Sequence, residues 1–298
     1  MTGSQHSHGR TSGTSRVLLA LGCAVAVVSG TVLYSSATDS SSQPSHSQAA
    51  KPVGKNHSGN HGADQPDVKL ADVAVDGGSI ALVSHDRTLV YGQDDGPAWS
   101  TIKVPIAIAA LQHDPATIDR VQPTIEWSSN EDAEALWFSM GNQTQAGEAV
   151  EELLHTTESA ADLDKIPAHF ADAQAFGAVN WSLSEQVSFA NQMWCVPEAE
   201  PVLESMGNIA EEHRWGLGRI DGARFKGGWG PDDETGVYTA RQFGVIPVPG
   251  GWAPVALSAT AEDGTEGSAQ EILNEMADKL NALKDRLAPS ACVPPGDR

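Results

Sequence analysis

The chain has 298 residues, 40% of them hydrophobic and 19% charged, a composition that supports a sizeable buried core. Eighteen Lys and Arg stand against 39 Asp and Glu for a net charge of −21, and the first 64 residues hold Arg10, Arg16, Lys51 and Lys55 against only Asp39 and Asp64, so the whole acidic excess lies beyond them. A surface of that sign repels nucleic acid and anionic lipid headgroups, which excludes both as expected partners of the folded part.

Residues 1–16 are polar and carry Arg10 and Arg16 with no acid, and Val17–Tyr34 is an almost unbroken apolar run. That is the pattern of an export signal, either cleaved near Ser35-Ser36-Ala37 or retained as an anchor, with the positive flank left in the cytoplasm and the body outside. Ala20-Leu21-Gly22-Cys23 loosely matches a bacterial lipid-attachment box but lies deep in the apolar run. Membrane contact is therefore expected through residues 17–37 only. Residues 38–65 are Ser, His, Gln, Asn, Gly and Lys and read as a tether. His46, His57 and His61 within it share no ligand spacing and no Cys, so no metal is expected, nor any other cofactor.

The folded domain is expected over 66–298. Val68 to Leu82 and Thr88 to Tyr91 read as short strands around Gly-containing turns. They deliver the chain to Trp99-Ser100-Thr101-Ile102-Lys103, where an apolar run on a helical period begins and Ser100 and Lys103 fall within the first turn of a helix. A hydroxyl and an amine are thus neighbours, and a lysine desolvated by apolar surroundings can shed its charge and serve as the base that activates a serine. Residues 112–212 are rich in helix formers with amphipathic spacing, as in Glu131–Met140, Ala146–Leu154 and Ser184–Met193. From Trp215 the texture turns to β, over Trp215–Ile220, Gly222–Gly228, Tyr238–Ile246 and Ala253–Ala259, and Glu266–Leu287 closes the chain as an amphipathic helix. The order predicts an α+β (α/β sandwich) fold whose antiparallel sheet is drawn from the N- and C-terminal segments around a central helical block.

Two further motifs follow Ser100 and Lys103: Ser128-Ser129-Asn130, which opens the helix Glu131–Trp137, and Lys226-Gly227-Gly228-Trp229-Gly230 in the second β region. Together they resemble the Ser-x-x-Lys, Ser-Asp-Asn and Lys-Thr-Gly signatures of serine β-lactamases and penicillin-binding proteins. More closely, the chain is similar to actinobacterial exported serine hydrolases related to class A β-lactamases, through Lys226-Gly227-Gly228-Trp229-Gly230-Pro231-Asp232 and Tyr238-Thr239-Ala240-Arg241-Gln242. The resemblance spans residues 68 to 287. It implies Ser100 as nucleophile, Lys103 as its base, Ser128 as proton relay, Asn130 as the group orienting Lys103 and substrate, and Lys226 as the cation for a substrate carboxylate. The amides of Ser100 and Trp229 would form an oxyanion hole, with Gly227 and Gly228 letting substrate approach. Each residue also has an ordinary explanation: Ser128 as a helix N-cap, Lys226 as a guard of an edge strand, Gly227-Gly228 as a bulge.

The chain departs from that pattern in four places. The stretch from Lys103 to Ser128 is short, Ser129 replaces Asp, Gly227 replaces Thr and so removes a hydroxyl for a substrate carboxylate, and no Glu-x-x-Leu-Asn loop is recognisable. Glu151-Glu152-Leu153-Leu154-His155 imitates that loop inside a helical pattern. Without its glutamate, release of an acyl-enzyme is expected to be slow. Two functions remain open: an exported, monomeric serine acyl-enzyme former acting on cell-wall peptides, esters or β-lactams, and an envelope binding or scaffolding protein on the same fold. His113 and His213 are given no catalytic role. Cys195 and Cys292 are the only cysteines beyond the export signal, and in an oxidising compartment they are expected to pair.

Overall fold

A computed structural model of the chain describes residues 68–84, 87–171, 174–290 and 292. The expected n-region, export signal and tether lie outside the described residues, and among those that are described no helix is long and apolar enough to cross a membrane.

Five strands form one antiparallel sheet: β1 (Gly78–Ser84), β2 (Arg87–Tyr91), β3 (Arg224–Pro231), β4 (Tyr238–Val248) and β5 (Gly251–Thr260), in the order β2-β1-β5-β4-β3. The N-terminal hairpin pairs directly with the last strand, Ile80 opposite Leu257, so the two ends of the domain meet in one sheet as the chain order predicted. Between them run α1 (Lys103–His113), α2 (Val121–Glu126), α3 (Asn130–Ser139), α4 (Gln143–Thr156), α5 (Leu183–Gln192) and α6 (Glu200–Met206), and α7 (Glu266–Leu283) closes the fold. Residue alternation along β4 separates the layers. Phe243 packs edge-on against Trp181 at 5.0 Å and near Phe189 of α5. The next residue back, Gln242, turns to the other face, where it donates to the Trp215 carbonyl and accepts from the Leu217 amide beside α7.

The helices start where the sequence supplies a cap. Asn142 and Gln145 form a reciprocal capping box on α4, Ser182 caps α5, and Thr265 caps α7. The Cys195–Cys292 disulfide forms, with Cα atoms 5.5 Å apart, and ties the C-terminal tail to the turn after α5.

Three local expectations are corrected. Trp215–Ile220 is not a strand. Gly216 takes φ +54 and Gly216–Arg219 forms a 3-10 turn, whose Gly216 amide donates to Asn274 of α7; glycine's freedom at positive φ overrides the β-like run of side chains. Val68–Leu82 is a strand only from Gly78, the earlier part containing the 3-10 turn Leu70–Asp72. Ser100 and Lys103 do not share an α-helical turn: Trp99–Ile102 is a 3-10 turn, and α1 begins at Lys103.

Candidate active site

Ser100 sits on a turn that is held from three sides. The strap before it, 94–98, runs antiparallel to 179–183. The Ala98 amide donates to the Val179 carbonyl at 2.6 Å, the Trp181 amide to Gly96 at 3.1 Å and the Leu183 amide to Asp94 at 2.9 Å. Beneath it the buried guanidinium of Arg241, on β4, donates to the carbonyls of Gly96 and Trp181. Trp99 then adopts φ +47, a conformation that costs a bulky residue energy and persists only where the surroundings enforce it. They do so here by packing. A Cβ at Gly177, Gly228 or Gly230 would lie 2.8, 2.6 or 2.3 Å from Trp99 atoms, so these three glycines form the slot that the Trp99 side chain fills. Gly228 also brings β3 against the Ser100 turn, since a Cβ there would lie 2.7 Å from the Ser100 amide nitrogen. The amide of Ser100 and the one after Gly228 therefore belong to adjoining segments, the arrangement an oxyanion hole requires.

Lys103, Ser128, Asn130 and Lys226 meet in one hydrogen-bonded cluster. Lys103 Nζ, fully buried, donates to the Ser128 carbonyl at 2.5 Å and to Asn130 Oδ1 at 2.6 Å, with Ser128 Oγ further off at 3.3 Å. Lys226 reaches the same hydroxyl from β3, donating to Ser128 Oγ at 3.0 Å and to the Gly227 carbonyl at 2.8 Å. Ser128 takes φ +58, and it serves both lysines, its carbonyl and hydroxyl facing Lys103 and its hydroxyl Lys226. It is not the N-cap of α3. That role falls to Ser129, whose Oγ accepts from the Asp132 amide at 3.1 Å, leaving Ser128 free for the cluster.

The electrostatics follow from burial. Desolvation, then the neighbouring Lys226 charge, hold the Lys103 amine well below its ordinary value of 10.5. Desolvation alone brings Lys226 down to about 7. A neutral amine has two N–H bonds and one lone pair; at Lys103 the two carbonyl oxygens take the N–H bonds, which leaves the lone pair as a proton acceptor. The flank of Lys103 is aromatic: the Phe176 ring centre lies 5.6 Å from Nζ, with Phe170 packed edge-on behind it at 4.9 Å. A nearby carboxylate would raise the Lys103 amine, and only lowering causes act on it, burial and the Lys226 charge. Glu158, Asp162 and Asp164 are exposed, Asp172 lies outside the described residues, and Glu151 and Glu152 are exposed on α4.

Sequence reasoning missed the residues on the outer side of β3. His213, read as a flank of the helical block, places its ring 4.8 Å from that of Trp229, and Trp215 packs edge-on to Trp229 at 5.8 Å. A Cβ at Gly227 would lie 3.3 Å from the Trp215 indole, which gives this glycine its physical reason. The available signal was Gly227 itself, since a missing side chain on an edge strand asks what fills its place. Gly227-Gly228 is no bulge, because the pairing of β3 with β4 runs unbroken from Arg224 to Pro231. Lys226 does lie on an edge strand, but its amine is buried in the cluster, not guarding the edge. Among the described residues no cluster of His, Cys, Asp and Glu is arranged to hold a metal ion.

No family model and no curated protein matches the chain. Its backbone is similar to that of solved β-lactamases. A β-lactamase from Burkholderia vietnamiensis superposes with a TM-score of 0.55 at 12% identity, over 72% of this chain and 94% of that one. One from Chitinophaga pinensis gives 0.54 at 14% identity, over 72% and 97%. A class A representative from Bacteroides cellulosilyticus gives 0.50 at 17% identity, over 69% and 92%. Nearly the whole length of each is matched, and the five-stranded antiparallel sheet with its helices is a β-lactamase-like α+β fold.

Proposed function

We propose that the chain is an exported or membrane-anchored serine acyl-enzyme former, acting on cell-wall peptides, esters or β-lactams, that releases its acyl group slowly. The observation that carries this reading is the Lys103–Ser128–Asn130–Lys226 cluster, in which a buried, desolvated amine meets the Ser128 hydroxyl at the start of the helix that follows Ser100. In the proposed reaction the Ser100 hydroxyl gives its proton to neutral Lys103 as its oxygen attacks the carbonyl carbon. The carbonyl oxygen gathers negative charge and receives the amides of Ser100 and Trp229. The proton then passes from Lys103 to Ser128 Oγ and from there to the departing nitrogen or oxygen, while Lys226 holds Ser128 and attracts a substrate carboxylate. Asn130 fixes the amine of Lys103 and, by the same amide group, meets the substrate.

The acyl-enzyme persists on this reading because, among the described residues, the flank of Lys103 is aromatic and Glu158, Asp162 and Asp164 are exposed. The apolar run Val17–Tyr34 supports an extracytoplasmic location. The test is a fluorescent penicillin and a fluorophosphonate applied to the full-length protein and to Ser100→Ala, with the modified peptide identified by mass spectrometry. Labelling on Ser100 that is lost in the variant supports acyl transfer. Absence of labelling by both probes leaves an envelope binding protein on the same fold.

A further inference from the structure

The loss of the hydroxyl at position 227 leaves a proposed carboxylate subsite with Lys226 alone, yet two ring nitrogens beside it have no partner. Trp215 Nε1 and His213 Nδ1 are both buried without a hydrogen bond. Both rings pack on Trp229, and Trp215 occupies the space that a side chain at Gly227 would fill. A buried polar atom left without a hydrogen-bond partner destabilises the fold that holds it. One orphaned N–H at Trp215 and, near the Lys226 charge, one orphaned ring nitrogen at His213 that becomes a donor on protonation point to a group that arrives with a substrate.

We infer that His213 and Trp215 complete the carboxylate-recognition site of the proposed reaction, in place of the hydroxyl absent at Gly227. The chemistry fixes the sign. The His213 ring is hydrogen-bonded to the backbone of Glu126, and since Nδ1 has no partner, Nε2–H is the group that donates there. Neutral His213 thus presents a bare Nδ1 lone pair, and only protonation turns that nitrogen into a donor for an anion. The charges facing the ring are Lys226 from β3, Lys103 from α1 and Glu212 from its own turn; α2 contributes the Glu126 backbone. Burial first, then Lys226, hold His213 below its ordinary 6.5, so it is neutral at pH 7, and binding of a carboxylate is coupled to uptake of one proton from solvent at Nδ1.

This rests on the acyl-transfer reading, and the experiment separates the two. Benzylpenicillin and its neutral carboxyl methyl ester are titrated into full-length Ser100→Ala, which cannot be acylated at that serine, between pH 5 and 8, alone and with His213→Gln or Trp215→Phe added. The affinity for benzylpenicillin relative to the ester is expected to rise about three- to ten-fold from pH 7 to pH 5.5, within the tenfold per pH unit that uptake of one proton permits. His213→Gln reduces that rise to the roughly twofold change left by completing the protonation of Lys226 below pH 7. Trp215→Phe, which keeps a ring but loses the N–H, weakens benzylpenicillin about three- to ten-fold at every pH and leaves the ester unchanged. In NMR titrations the imidazole resonance missing from His213→Gln moves to higher pH when benzylpenicillin is present. An unchanged pH dependence in His213→Gln, or no binding of benzylpenicillin at any pH, overturns the inference. Failure of the neutral fluorophosphonate to label Ser100 in the wild type overturns instead the acyl-transfer reading.

Discussion

Lys226 offers a measurement of how much the fold invests in its site. Its amine is buried, bonded only to a hydroxyl and a carbonyl, and faces no carboxylate that offsets its desolvation. Its proton is held with a pKa of about 7 in the fold, against 10.5 ordinarily. Between those two values the unfolded chain carries more protons than the folded one, so stability rises with pH across that window and is lost as pH falls towards 7. At about 1.36 kcal/mol per pH unit, and allowing for partial titration at both ends, the change from pH 7 to pH 10 is about 3 to 4 kcal/mol. Lys226→Met removes this titration. Relative to wild type, the variant is expected to be more favourable at pH 7 than at pH 10 by at least that amount, because the titration of groups that do not feel the Lys226 charge cancels in the comparison. Relief of Lys103 from the neighbouring charge acts in the same direction. Urea unfolding of both proteins at the two pH values, followed by circular dichroism with the disulfide intact, gives the number. A difference below about 1 kcal/mol would show that Lys226 keeps an ordinary amine pKa and that its burial is compensated by contacts not considered above.

Lys103→Ala is expected to lose probe labelling about as completely as Ser100→Ala, since residues that act as one unit fail together, whereas near-wild-type labelling would remove Lys103 as the base. Gly228→Ala places a Cβ 2.6 Å from Trp99 Cβ and 2.7 Å from the Ser100 amide. The turn must shift, so the second-order labelling rate should fall by about a hundredfold or more, the typical effect of losing an oxyanion donor, and an unaffected rate would refute the slot. Cys195→Ser opens a crosslink spanning 97 residues and should cost roughly 3 to 5 kcal/mol in oxidised protein, read by denaturant midpoint. With a chromogenic cephalosporin the protein should give one stoichiometric burst and then slow release, and sustained hydrolysis at many turnovers per second would refute the proposed lack of a deacylation base.

Much of this protein is written locally. The caps at Asn142, Ser182 and Thr265, the helical periods behind them and the turn residues between strands place α4, α5, α7 and the β4–β5 hairpin in the sequence, because each depends on residues a few positions apart. The three motifs were legible for the same reason, and so was the disulfide, since Cys195 and Cys292 are the only cysteines beyond the expected export signal and leave one pairing. What the tertiary structure alone decided depends on groups far apart in the chain. Gly216, at positive φ and bonded to α7, makes a turn of a stretch that reads as a strand. The strained Trp99 is specified by glycines at 177, 228 and 230, and the role of Ser128 by lysines 25 and 98 residues away. His213 and Trp215 reach the site only because β3 carries Trp229 to them. Desolvation completes the contrast: residue type says that Lys103 and Lys226 are bases, but only the packing around them sets how weakly each holds its proton.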